Sequence, residues 1–296
     1  MYRVGIIGTG IVGSAMALIL RERGYLISGV SSRTGVSARI IADRIGCRCF
    51  AEPEEILPEA ETVFLTLPDR ELGSAALRLA QSGRVRDDHV FLHMSGALPA
   101  EILHPLQQNG AAAASVHPLQ SFAHIEKALD ILPGSFFAVQ GDEKAVQIAI
   151  SIVKNLGGKP FMIGCEDKAL YHLGACAASN YLVSLMHFAV TMYTKIGMSP
   201  EQAVEALLPL VKGTLTNVET TGPAKALTGP VARGDIETVE KHLQALSRVD
   251  AGLKEFYKTL GRYTTGVAVE KGTINKDTAR KLLSILREEE PAIGQQ

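Results

Sequence analysis

Val4-Gly5-Ile6-Ile7-Gly8-Thr9-Gly10-Ile11-Val12-Gly13-Ser14-Ala15-Met16-Ala17 reads as a short apolar strand, a three-glycine turn and the opening of a helix. In this G-x-G-x-x-G run Gly8 permits the tight turn. Gly10 lets the backbone approach a pyrophosphate with no Cβ in the way, and Gly13 lets the helix pack closely on the strand. The pyrophosphate would rest on the exposed N–H groups at the positive end of that helix. Gly8, Thr9, Gly10, Ile11, Val12 and Gly13 are therefore the expected cofactor-binding residues. The spacing alone is weak, since 28 glycines in 296 residues produce near-matches by chance. The apolar strand before it, the small and apolar helix to Leu20, and Gly24 at a C-cap position strengthen it.

The second strand, Tyr25 to Val30, predicts which dinucleotide binds. An acidic residue at its end would take the ribose 2′-hydroxyl of NAD. This chain has Ser31-Ser32-Arg33-Thr34 instead. A guanidinium fork flanked by hydroxyls suits a 2′-phosphate, so NADP (NADPH) is the expected cofactor. A solvated loop arginine is the alternative reading of Arg33.

Composition excludes several classes of partner. Thirty basic and 31 acidic side chains are well mixed, with a net charge of −1. That balance gives no footprint for nucleic acid or an anionic membrane. Cys47, Cys49, Cys165 and Cys176 make neither a disulfide framework nor a metal motif, and reduced thiols in a cytoplasm are the simplest reading. The chain enters its first strand at once, so no signal or transit peptide is expected. Residues 169–194 are strongly apolar but interrupted by His172, Ser179, Asn180, Ser184 and His187, and read as a long helix buried in protein rather than a membrane span.

Further along, a helix is expected over Ser37–Gly46, a strand over Cys47–Phe50 and another over Thr62–Leu67. Leu67-Pro68-Asp69 would follow that strand beneath the nicotinamide side of the cofactor, with Asp69 capping a helix over Arg70–Ala80. Strands over His89–Met94 and Ala112–Val116 flank a helix over Leu98–Gln108. Phe136–Val139, a helix over Asp142–Leu156, and Lys159–Ile163 extend the sheet. Alternating strands and helices predict an α/β fold with a doubly wound parallel sheet. Beyond Gly164 only helices are expected, over residues 166–196, 199–216, 235–247, 249–266 and 275–289, with a frayed tail from Glu288 to Gln296. The predicted domains are 1–164, nucleotide-binding, and 165–296, helical.

Ligands of such a sheet bind beyond the carboxyl ends of its strands. Ser95, in His93-Met94-Ser95-Gly96-Ala97, would touch cofactor or substrate, or else cap the next helix. His117, in Ser115-Val116-His117-Pro118-Leu119-Gln120-Ser121-Phe122, would orient a carbonyl or imine, or give up a proton as hydride arrives. At 100° per residue Lys168, His172 and Ser179 lie within about 40° of one another on their helix, and Cys176, Asn180 and His187 widen the arc to about 120°. Buried without partners, each would cost about 1–3 kcal/mol, so a ligand, a protein network or a subunit interface is expected beside them. His172 and Asn180 are the favoured substrate-facing pair. Ala226 to Asp235 reads as a fixed loop too rich in turn formers for a helix, presenting Thr228 and Arg233 ahead of a helix capped by Asp235.

Together the glycine loop, Ser32-Arg33, His117 to Phe122, Tyr171-His172 with Ser179-Asn180-Tyr181, and the Thr228 to Asp235 loop resemble the Rossmann-like oxidoreductases with a C-terminal helical domain of unknown function. The resemblance spans nearly the whole chain. More distantly it is similar to pyrroline-5-carboxylate reductase, the NADP reductases that use a deazaflavin coenzyme, and the 6-phosphogluconate and 3-hydroxyacid dehydrogenases. These relatives imply a helical domain set against the cofactor and a homodimer formed through it. The hydroxyacid dehydrogenases carry a catalytic Lys with an Asn four residues on; here His172 stands at that distance from Lys168, so the pair is not reproduced.

The expected function is NADP-dependent hydride transfer with a small carbonyl, imine or alcohol in an interdomain cleft. His117 or His172 would be the proton donor, Asn180 and Ser95 would position substrate, and Arg233 would bind an anionic group. No metal is expected. A non-catalytic NADP-sensing dimer and a reductase acting on a deazaflavin coenzyme are the alternatives.

Overall fold

The computed structural model describes residues 3–287; the expected tail from Glu288 lies outside them. The chain divides into two compact units, 1–182 and 183–296.

The first unit is built on eight strands, β1 (Arg3–Ile7), β2 (Leu26–Ser31), β3 (Arg48–Phe50), β4 (Thr62–Leu65), β5 (Val90–His93), β6 (Ala112–Pro118), β7 (Phe136–Gly141) and β8 (Lys159–Met162). They form one sheet in the order β3-β2-β1-β4-β5-β6-β7-β8. Between them run the helices α1 (Ile11–Glu22), α2 (Val36–Ile45), α3 (Asp69–Gln81), α4 (His104–Gln107), α5 (Ile125–Ile131) and α6 (Glu143–Asn155), followed by α7 (Lys168–Ala178). Alternate strand residues point to opposite faces. Val4, Ile6, Phe64, Leu92, Ala114 and Val116 therefore pack with α1, α2 and α6. Val63, Leu65, Phe91 and Ala113 pack on the other face with Leu72, Ala76 and Leu79 of α3 and with Ile56 and Leu57.

The doubly wound sheet is present, with corrections to its detail. β7 runs antiparallel to β6, so the sheet is mostly rather than wholly parallel. The unforeseen α5 in that connection packs beside α1, and the chain re-enters the sheet in the opposite sense. The helix expected over Leu98–Gln108 is a 3-10 turn, Ala100–Leu103, followed by the single turn α4. Pro99 and Pro105 account for this, because proline lacks the N–H of a helical ladder. A second 3-10 segment, Pro53–Glu59, was not anticipated; it carries a capping box between Glu52 and Glu55.

α8 (Asn180–Lys195) follows Ser179, whose φ of −112° and ψ of −70° interrupt the expected single helix. α8 has no buried residue, and Leu170, Leu173, Tyr181 and Val183 are more than 60% exposed. The expectation of a helix buried in protein is thus corrected: in the single chain this apolar surface is open. The stretch Lys168–Lys195 holds a window of mean hydropathy 1.3 and is long and apolar enough to cross a membrane. Length and composition alone do not separate a spanning helix from an interface helix.

The second unit holds most of α8, then α9 (Pro200–Thr221), α10 (Pro223–Ala226), α11 (Pro230–Arg233), α12 (Ile236–Leu246), α13 (Ala251–Lys271) and α14 (Lys276–Ile285). Its core gathers Val231, Val239, Ala268, Ile274, Leu282 and Leu286. Ser199 and Gln202 form a reciprocal capping box on α9, and Asp235 caps α12 by accepting the Thr238 N–H at 3.1 Å. The segment 226–235, expected to be loop throughout because of its turn formers, is corrected: α11 is one helical turn, begun by Pro230, whose fixed φ favours the first helical position.

Candidate functional site

Strand register places the site. Ser31, Ile7, Leu65, His93 and Ser115 are successive partners across β2, β1, β4, β5 and β6. At about 4.8 Å per strand, this row carries the chain ends that follow it along one edge of the sheet: Ser32-Arg33, then Gly8, then Thr66, then Ser95, then His117.

The glycines behave as their spacing predicts. Gly8 has φ +100°, and a Cβ there would stand 2.6 Å from the Thr66 carbonyl oxygen. A Cβ on Gly13 would lie 1.9 Å from the Gly8 oxygen and 2.3 Å from Thr66 Oγ1, so α1 approaches the loop as closely as a glycine allows. Thr66 closes the arrangement by donating its hydroxyl to the Gly8 carbonyl. A Cβ on Gly10 would meet nothing within 4 Å. Gly10 is the N-cap of α1, has no side-chain cap, and is followed by a first turn with no acidic residue. This open cradle of first-turn N–H groups fits an anionic pyrophosphate. Ile11 and Val12 lie in the same turn, whereas Thr9 is buried and its hydroxyl bonds Ser37 Oγ at 2.7 Å.

Beside the loop lies a cavity of about 550 Å³ whose walls include Gly8, Ser31, Ser32, Arg33, Glu52, Leu67, Glu71 and Arg78. Ser31 is buried, and Ser32 Oγ accepts the Ala38 N–H at 3.3 Å near the start of α2. Arg33 is 81% exposed and touches Glu71 at 3.5 Å. Thr34 lines the adjoining hollow with Arg39 and Cys49. Pro68 is the N-cap of α3; Asp69 is its first residue and makes no cap, a correction to its expected role.

At the other end of the row α7 meets β6 and the turn that follows β5. Lys168, Tyr171 and His172 share one face of α7 at spacings of three and four. Lys168 is 2% exposed, donating to the Ser95 carbonyl at 2.9 Å and to Ser115 Oγ at 2.7 Å. Tyr171 Oη and His117 Nδ1 are 2.7 Å apart, with the His117 and His172 rings 6.5 Å apart. Both imidazoles converge on Gly96: a Cβ there would come within 2.8 Å of His117 Nε2 and of His172 Cδ2. The Ser95 hydroxyl accepts from the N–H groups of Ala97 and Leu98 at 3.2 and 2.9 Å, the capping alternative, while its carbonyl seats Lys168. Asn180 is exposed at the start of α8.

Burial sets the protonation states. It pushes His117 down to about 4, helped by the Lys168 charge and then His172. It pushes His93 to about 3, again with Lys168 contributing. Lys168 falls to about 8 through desolvation, opposed by Asp69, and the Tyr171 phenol rises to about 12. At neutral pH the site thus holds a neutral imidazole, a protonated phenol and an ammonium. If His117 Nδ1–H donates to the phenol oxygen, the Tyr171 hydroxyl proton is left for a ligand.

Sequence reasoning placed Lys168 on the polar stripe without a role and quoted Tyr171 only within a motif. Their spacing with His172 was the available signal; their partners on β6 and in the turn after β5 were not readable. Among the described residues no His, Cys, Asp and Glu cluster fit for a metal ion is found.

A Rossmann-like domain matches residues 1–118, and a domain of unknown function, DUF2520, matches residues 135–264. The chain joins a Rossmann-like domain to a DUF2520 domain. A solved protein of Thermotoga maritima is 29% identical with a TM-score of 0.70, over 91% of this chain and 99% of that one. A reductive aminase from Aspergillus terreus, solved with NADPH and ethyl-5-oxohexanoate, shares the fold at 17% identity and a TM-score of 0.67, over 97% and 100% of the two chains. A shikimate dehydrogenase (NADP(+)) of Oleidesulfovibrio alaskensis is 38% identical over 77 residues, so the match spans 26% of each chain.

Proposed function

We propose that this protein is an NADPH-dependent oxidoreductase acting on a small carbonyl, imine or alcohol compound bound beside His117 and His172. The observation that carries the reading is the row along the sheet edge. It sets Arg33, the open glycine cradle and the Tyr171–His117 pair in the order of a 2′-phosphate, a pyrophosphate and a reacting ring. A reductive aminase solved with NADPH shares the fold, and an NADP(+) shikimate dehydrogenase matches a 77-residue stretch; both support the same reading.

In this scheme Gly10 and the first turn of α1 bind the pyrophosphate, and Arg33 takes the 2′-phosphate. The nicotinamide, when bound, supplies or accepts the hydride. In the reductive direction the π pair of the C=O or C=N bond moves onto oxygen or nitrogen, which takes a proton from Tyr171 Oη. His117 then holds the phenol in place and shares its charge. Lys168, seated on Ser95 and Ser115, keeps a positive charge near the site that favours the deprotonated phenol and the neutral imidazole.

The test is NADPH oxidation with a panel of small ketones and cyclic imines, using wild type, Tyr171→Phe and His117→Ala. Turnover in wild type, lost in the variants while NADPH affinity is retained, is the expected result. Absence of NADPH binding in wild type overturns the proposal. Binding without turnover on any substrate replaces it with a non-catalytic NADP sensor, and oxidation only with a deazaflavin acceptor moves the substrate to that coenzyme.

A further inference from the structure

The cavity beside Arg33, which on the proposed reading would take the 2′-phosphate end of the cofactor, also contains groups of opposing charge. Arg33 and Arg78 line it, but so do Glu52 and Glu71. Arg78 is committed: it donates to Glu52 and, at 3.0 Å, to Glu54. Arg33 is held more loosely, by one 3.5 Å contact to Glu71 Oε1. The same carboxylate oxygen lies 3.8 Å from Arg70 Nε. Glu71 is the better anchored partner, at 32% exposed against 81% for Arg33. It stands in the first turn of α3, where the helix dipole favours a negative charge.

We infer that Glu71 is a specificity-determining residue that restrains the preference of this site for NADPH over NADH. The inference rests on the proposed NADP reading of Arg33 and adds the counter-charge to it. A 2′-phosphate must draw Arg33 from Glu71 or share it, and it then lies near a like charge. A ribose 2′-hydroxyl carries no charge and offers a proton to the same carboxylate. Glu71 therefore weakens NADPH and strengthens NADH, opposing the effect of Arg33. The absence of an acidic residue at the end of β2 is in this way partly offset from α3, across the cavity.

The experiment is calorimetric titration of the full-length protein with NADPH, NADH, 2′,5′-ADP and 5′-AMP, for wild type and Glu71→Gln, with Glu71→Ala as a second variant at this surface position. The expected result in both variants is tighter NADPH and 2′,5′-ADP by about 2- to 5-fold, the range of a partly exposed ion pair, with NADH and 5′-AMP weaker. If wild type binds NADPH and the NADPH-to-NADH ratio is the same in both variants, Glu71 has no such role. If wild type binds neither dinucleotide, the proposed function itself fails.

Discussion

Gly10, the N-cap of α1, and Gly13, in its first turn, lie three residues apart, yet the structure assigns them opposite sensitivities. In Gly10→Ala the added methyl meets nothing within 4 Å, and the backbone there, at φ −69° and ψ −167°, is open to any residue. Only the loss of a favourable N-cap acts on stability, a few tenths to about 1 kcal/mol. That methyl enters the space assigned to the pyrophosphate. Displacing an anion from one charged hydrogen bond costs about 1.5–3 kcal/mol, so NADPH should bind roughly 10- to 150-fold more weakly. In Gly13→Ala the methyl would stand 1.9 Å from the Gly8 oxygen, and α1 must move from the sheet by more than 1 Å. Overpacking of this kind costs about 1–3 kcal/mol. The assay is urea unfolding of both variants beside NADPH titration. A Gly10→Ala protein with wild-type NADPH affinity would refute the cradle, and a Gly13→Ala protein of wild-type stability would refute the close packing behind it.

His93 and His117, held near 3 and 4 by burial and by Lys168, make stability depend on acid. An unfolded imidazole binds its proton near pH 6.5, so this contribution is fully present above that pH. It is lost as pH falls toward the folded values, at up to about 1.4 kcal/mol per pH unit for each imidazole; urea midpoints that do not change between about pH 7 and pH 5 would contradict it. Lys168→Met removes a positive neighbour from His117, so NMR titration should show the His117 pKa rising in the variant, and an unmoved or lower value would deny the coupling. The open apolar surface of α8 is expected to be covered by a second copy, giving twice the chain mass in sedimentation. Val183→Glu, at a position 68% exposed, should then yield monomers, and a monomeric wild type rules that arrangement out.

The glycine loop was legible because its chemistry is local. Gly8, Gly10 and Gly13 act through a turn and the first coil of a helix, whose geometry follows from residues within six positions of one another. The alternating α/β pattern was legible for the same reason, since each strand and helix declares its own period. Boundaries failed where a proline or a non-helical dihedral interrupted a favourable composition, as at Pro99, Pro105 and Ser179. Burial failed for α8, because an apolar sequence states that a surface prefers cover without stating whether its own chain supplies it.

By itself the sequence determined a dinucleotide turn on the first strand, an arginine in place of the acid after the second, and a helical C-terminal half. Only the tertiary structure decided the partners. Lys168 reaches Ser95 and Ser115 across 73 and 53 residues, Tyr171 reaches His117 across 54, and Glu71 reaches Arg33 across 38. Those meetings depend on the strand order and on the register that aligns Ser31, Ile7, Leu65, His93 and Ser115 in one row. Register is set by how both faces of the whole sheet are packed, and no short segment encodes it.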